Sequence, residues 1–590
     1  MKTIRVLFPG LILLGSALIS PAADPRLSSW RTGSSGQYAR VRETDAAPAA
    51  GATTWTGQTL PAYCDVQEIA HDANYIYVRS HGLAGYVMGP WYLNAARTQL
   101  FLNRPLAANR YRRLARNPAP AVTKTATGLG AIGMYVNGVS LFDNRDAFYW
   151  NGTAEANGSG YWNRDAWVNE GVTFDFGYAH QEQTGNYHYH AFPPALRYQL
   201  GDNVSYNPAT FRYAEDTNHL HHSPILAWVS DGFPIYGPYG YANATNPASG
   251  VRRIVSGFVL RNGQRGTDNL AATGRATIPA WAQRAYGQSG IAGPAVSAQY
   301  PLGRYLEDNA YLGDLTNSVT GQRHQLGVDF DLNEYNVRWC VTPEFPGGTW
   351  AYVCSLNTDG TPAFPYAVGR QFWGTPDTAN LTTIPAGTTN YFTGGPNSRL
   401  ALNSPARAGS DVVLTWSSVE GGTYRVEAST NVVVGNWTSV QSNIVSTGIV
   451  ARATEAGGAS GSSRFYRVAR TALANHYGSG TTTNGGGGNG ILSVSPTSAA
   501  RGATFTLTVN IDPAAQPPPP PQNAPVNSVT IGALAGVNRV HVSRTQVTAS
   551  FTIPGGAATG PQTVTVVFPG PPGNPNQTVT YTLPNGFTIN

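Results

Sequence analysis

The stretch AHDANYIYVRSHGL, residues 70–83, decides the fold class. Polar and apolar residues alternate around Tyr75, Tyr77 and Arg79, the two-residue period of a half-buried strand, and Gly82 ends the run. Outward from it, short aromatic segments separated by Gly and Pro continue to about Val368. That spacing belongs to a sandwich or barrel, and no helical segments alternate with it as a parallel βαβ sheet requires. With 67 Gly, 42 Pro and 11% aromatics in 590 residues, composition also favours turns and strands over long helices. The expected fold class is mainly β and multi-domain, with a β-sandwich-like domain over residues 63–370.

Upstream, Lys2 and Arg5, the apolar run from Val6 to Ile19 and the small-residue exit Ser20, Pro21, Ala22, Ala23 have the order of a secretory signal peptide, expected over residues 1–22. Export makes the protein secreted or cell-surface. No later stretch approaches the roughly 18 uninterrupted apolar residues of a spanning helix, so no membrane span is expected. Residues 23–62, rich in Ser, Gly, Ala and Thr, read as a flexible leading segment.

Downstream, residues 371–397 read as a connecting loop. The segments DVVLTW, TYRVEAST and RFYRVAR then give short strands over residues 398–474, a pattern similar to the fibronectin-like modules of exported bacterial proteins, with Trp416 and Tyr466 as core. GSGTTTNGGGGNG, Gly478 to Gly490, has linker composition, and the linker is placed over residues 475–490. Residues 491–590, opening with ILSVSPTSAARGATFTLTV and closing with NGFTIN, resemble a TIG, immunoglobulin-like β module. Its proline run Pro517 to Pro521 belongs in a loop, because proline donates nothing to a central ladder.

The net charge of +6 is small for this length, and the 12% of charged residues is about half the usual quarter. Arg110, Arg112, Arg113 and Arg116 form the densest basic patch, without the repeated basic–aromatic interleaving of a nucleic-acid platform. No nucleic-acid partner is expected. Three cysteines are present, Cys64, Cys340 and Cys354. Pro343, Pro346, Gly347 and Gly348 mark a turn between the last two, and a hairpin there predicts a Cys340–Cys354 disulfide, with Cys64 left over.

The 11 histidines are unevenly spread. In Tyr187, His188, Tyr189, His190, strand alternation puts both imidazoles on one face and both tyrosines on the other. Two imidazoles on one face of a stiff strand make a pair of ligands for one metal ion. Upstream, His180 sits a glycine-containing turn away, so a hairpin returns it beside the pair. Downstream, His222 leads into ILAWVSDGFPIYGPYGY. Three neutral imidazoles with an open fourth position are the donor set of a catalytic zinc or copper site. The Gly and Pro spacing of DGFPIYGPYGY forbids helix and lines a rigid loop with Phe233, Tyr236, Tyr239 and Tyr241: either an aromatic wall for a sugar or turn scaffolding around the core. Asp231, beside Gly232, reads as an Asx-turn residue or a catalytic carboxylate.

The stretches GMYVNGVSLFDNRDAF, WVNEGVTFDFGYAHQEQTGNYHYH, HSPILAWVSDGFPIYGPYGY, PLGRYLEDNAYLGDLTNS and WCVTPEFPGGTWAYV occur in this order, and residues 63–370 resemble the YHYH family, named after residues 187–190. The resemblance implies a domain identity rather than a particular reaction. It places His81, His180, His188, His190, His222, Asp231, Glu307 and Asp308 on motif positions, and leaves His219 and His221 off them.

Neither GxSxG, HExxH, P-loop nor a strand-to-helix GxGxxG occurs, which withdraws support from the common hydrolase and nucleotide-binding classes. Three readings stand. One is a metal-binding exported domain holding divalent zinc or copper on His188, His190, His222 and His180, with Glu307 or Asp231 as general base. Another is a glycan-binding or adhesive surface protein with structural histidines and an extracellular glycan or cell-surface component as partner. The third is a metal-free hydrolase with a carboxylate–histidine pair.

Overall fold

The computed structural model describes residues 24–432, 436–461, 463–478, 490–511, 520, 524–569 and 578–590. The signal peptide, nearly all of the glycine-rich linker and most of the proline run lie outside them. Strand outweighs helix by 40% to 7%, so the protein is mainly β. Among the described residues no helix is long and apolar enough to cross a membrane.

The stretch at residues 70–83 folds as two strands. β1 (Val66–His71) and β2 (Tyr75–Ser80) are joined by an Asx turn: Asp72 Oδ1 accepts from the Asn74 and Tyr75 amides at 2.7 and 2.8 Å, and Tyr77 donates its hydroxyl to Oδ2 at 2.7 Å. Ile76 and Val78 are fully buried while Tyr75 and Arg79 are half-buried, but Tyr77 between them is buried at 4% exposure, so the alternation the sequence shows is met only in part. β3 (Arg110–Ala115) pairs with the far edge of β2.

The central sheet begins with β4 (Ala131–Tyr135) and β5 (Ser140–Phe142). Their hairpin turns at Gly138 with φ +79°, where an added Cβ would lie 2.4 Å from Ser80 Cβ, so only glycine lets the two sheets approach this closely. A short helix, α1 (Ala166–Glu170), follows, capped by Asp165, whose side chain accepts from the Val168 amide. Then come β6 (Ala179–Gln181), β7 (Tyr187–Tyr189), β8 (Ile225–Val229), β9 (Pro234–Tyr236), β10 (Val337–Cys340) and β11 (Thr349–Val353). The eight strands lie in the order β6-β7-β5-β4-β8-β9-β11-β10. Every residue of β8 is buried, and its unbroken apolar sequence ILAWV is that of a central strand covered on both faces. β12 (Thr389–Thr393) returns to pair with β1.

Two expectations change here. The leading segment is built into the central core rather than flexible. Leu27, Trp30, Val41 and Trp55 are at most 8% exposed and belong to the same cluster as β2, β4 and β8, and Ala39 bonds the Ala62 carbonyl through its amide. Large apolar residues on irregular backbone carry no periodicity, so the pattern reading passed over them. The connecting loop likewise contains β12.

Residues 398–472 form two three-stranded sheets around one cluster with Trp416, Leu414, Tyr424 and Val426 at 0% exposure. Residues 491–590 form a four- and a five-stranded sheet around a core of their own. The first of these modules is seated on the central domain. Glu420 pairs with Arg40 at 2.5 Å, accepts from the Tyr38 amide at 2.9 Å, and takes the Tyr63 hydroxyl on its carbonyl at 3.0 Å. Tyr477 follows that module and is buried in the central core.

Candidate metal centre

β6 and β7 pair antiparallel with His180 directly opposite His188, so the turn between them returns His180 to the HxH strand as the sequence leads one to expect. Tyr187 and Tyr189 point to the other face, where both hydroxyls meet Tyr86 Oη at 2.9 and 2.7 Å. Asp175 Oδ2 accepts from Tyr187 at 2.6 Å and from the Gly89 amide at 2.8 Å, and this holds β7 from behind. On the histidine face the three rings are 6%, 2% and 4% exposed for His180, His188 and His190. One ligand nitrogen from each lies within 4.8 Å of the others.

The partners of Nδ1 fix the tautomers. His188 Nδ1 donates to the Asn186 carbonyl at 2.7 Å and His190 Nδ1 to the Asp143 carbonyl at 2.6 Å; a carbonyl only accepts, so each Nδ1 carries the proton. Thr173 gives its hydroxyl proton to the Glu170 carbonyl at 2.7 Å and so accepts from His180 Nδ1, also at 2.7 Å. All three Nε2 atoms therefore present lone pairs. His188 Nε2 and His190 Nε2 stand 3.0 Å apart with no proton left to share between them.

Burial and the neighbouring imidazoles hold His180 and His188 well below the ordinary histidine range, and burial takes His190 down to about 4. The rings are neutral at pH 7, as metal ligation requires. Phe142 stacks on His188 with centroids 3.8 Å apart, and Phe174 lies edge-on to His180 at 4.8 Å, completing a dry wall around the nitrogens.

Glu170, at the end of α1, is a site residue the sequence reading missed. Its Oε2 lies 3.2 Å from His190 Nε2 and 3.7 Å from His180 Nε2, enclosed and, among the described residues, without a hydrogen-bond partner. Burial first, then the Asp146 charge, pushes its carboxyl up to about 8. It occurs in WVNEGVTFDFGYAHQEQTGNYHYH, ten positions before His180, and no spacing rule links it to a strand pair.

The other sequence candidates lie elsewhere. His222 precedes β8, three strand spacings from β7 in the sheet order, roughly 14 Å; its Nδ1 meets the Ser223 carbonyl at 2.8 Å and its ring packs on Tyr236 and Tyr241. The structure does not bring it to the other three histidines. Glu307 accepts from the Asn163 amide and side chain, both at 2.8 Å, and from Tyr286 at 2.7 Å, while Asp308 takes a two-pronged bond from buried Arg275 at 2.6 and 2.8 Å. Asp231 accepts from Tyr352 at 2.6 Å, from the Gly374 amide at 2.8 Å and from the Phe233 amide two residues on, the Asx-turn role. Each of these carboxylates is spent on holding the fold, so none is placed as a general base for the cluster. Phe233 and Tyr236 are core rings at 3% and 2% exposure, Tyr241 is half-buried, and Tyr239, 4% exposed, lines one side of a cavity of about 680 Å³.

Cys340 and Cys354 are free and buried, as is Cys64. The chain turns at Pro346 and Gly347, where the Gly348 amide bonds the Phe345 carbonyl, but the strand register sets Cys340 opposite Thr349. Cys354 lies five residues further along, roughly 16 Å at about 3.3 Å per residue, beyond the reach of about 7 Å between Cα atoms that a disulfide allows.

Fold and site together define a β-rich, multi-domain protein with a buried three-histidine cluster on the edge of its central sheet. Residues 112–367 match the family model described as YHYH protein, so the chain carries a YHYH domain that contains the whole cluster. No curated protein matches the chain.

Proposed function

We propose that the YHYH domain is a metal-binding domain whose centre is held by His180, His188 and His190, in a protein exported to the secreted or cell-surface space. The 3.0 Å approach of two Nε2 lone pairs carries this reading. Facing lone pairs repel, and a cation between them converts the repulsion into two bonds; two nitrogens on one zinc at about 2.0–2.1 Å stand roughly 2.9–3.4 Å apart. The imidazole donors suit zinc or copper. Such an ion held by neutral ligands keeps most of its positive charge, available for polarising a bound water or carbonyl.

The test uses full-length protein made without a polyhistidine tag, dialysed against zinc or copper and analysed for metal. One ion per chain is expected. His188→Ala and His190→Ala should each abolish stoichiometric binding while circular dichroism is unchanged, and the double variant should lose no more than either alone, because ligands to one ion act as a unit. Wild-type protein that takes up neither metal, or a double variant with full occupancy, sinks the proposal.

A further inference from the structure

We infer that Glu170 is the fourth ligand of this centre, making the donor set three imidazoles and one carboxylate. The inference rests on the metal reading of the three histidines. Glu170 Oε2 faces the Nε2 atoms of His190 and His180 at 3.2 and 3.7 Å and, among the described residues, has no hydrogen-bond partner although it is enclosed. A buried carboxyl oxygen aimed at lone pairs is held there either by its own proton, which the raised carboxyl keeps near neutral pH and can donate to His190 Nε2, or by a cation that displaces that proton. The remainder of its side chain is 29% exposed, against 8% and 4% for those of His180 and His190, so Glu170 closes the cluster on its solvent side.

A carboxylate donor narrows the class of ion. Hard oxygen beside imidazole suits divalent ions such as zinc(II), whereas copper(I) selects soft sulfur, and the three cysteines lie outside the cluster. The decisive variant is Glu170→Gln, whose amide keeps a hydrogen bond to Nε2 but is a poor ligand; Glu170→Asp keeps the carboxylate and withdraws it by one methylene. Chelator competition on the full chain should show zinc(II) affinity falling about tenfold or more in Glu170→Gln, the scale on which metal sites respond to their supporting groups. Glu170→Asp should fall between Glu170→Gln and wild type, and copper(I) affinity should stay within about twofold throughout. If folded Glu170→Gln keeps zinc(II) affinity within about twofold while His188→Ala still abolishes it, Glu170 is no ligand and the histidine centre stands without it. If wild-type protein takes up no metal, both readings fall together.

Discussion

His188 and His190 owe their shared face to strand parity, but their protonation state to groups that parity does not name. Two backbone carbonyls and one hydroxyl take the three Nδ1 protons. Thr173 is the replaceable member of that set. Thr173→Val leaves His180 Nδ1 without its acceptor, so the ring is free to flip or change tautomer. Zinc affinity is expected to fall about tenfold, as for other partners that orient a ligating histidine, with thermal stability nearly unchanged and recovery in Thr173→Ser. Equal affinities for valine and serine at this position would show that Thr173 does not orient the ring.

At the scale of elements, α1 and the turn after it carry Glu170 and Thr173 to the β6–β7 hairpin, and Asp165 holds the start of that helix. Its carboxyl accepts from the Tyr366 hydroxyl at 2.7 Å and the Val168 amide at 3.2 Å, yet burial outweighs these bonds and raises it to about 7. The stabilising contribution of the protonated form is complete below about pH 4, the unfolded value, and is lost as pH rises through about 7. Asparagine copies the protonated form. The unfolding free energy of Asp165→Asn relative to wild type should therefore improve by about 1–2 kcal/mol between about pH 5.5 and 8.5, measured by urea denaturation. A difference that stays constant across this range would mean that Asp165 is already ionised at the acid end.

In the whole molecule, the module of residues 398–472 is seated on the central domain through Glu420, with Tyr477 just after it buried in the central core, whereas the core of residues 491–590 contains only its own residues. The two ends of the chain should respond oppositely to truncation. Removing residues 491–590 should leave the calorimetric unfolding of the remainder unchanged. Removing residues 24–62 takes Leu27, Trp30, Val41 and Trp55 out of the central core; a buried tryptophan alone is worth about 3–5 kcal/mol, and the four together are comparable to the roughly 5–15 kcal/mol that holds a domain folded. No cooperative transition of the central domain is expected from that chain, and an undisturbed transition would show the leading segment to be peripheral.

Local pattern was enough for the strand character of residues 75–80, the shared face of His188 and His190, the return of His180 and the two C-terminal β modules. Each rests on period-two alternation or a short turn, which neighbours along the chain decide. The tertiary structure alone decided what depends on distance in the sheet or on register: His222 lies three strands from β7, Cys340 faces Thr349, and Asp231 and Glu307 are consumed by partners far along the chain. The same holds for Glu170. A helix of five residues has too little periodicity to announce which side chain it delivers, and only the packing of α1 on the strand Arg145–Trp150 brings that carboxylate to the nitrogens.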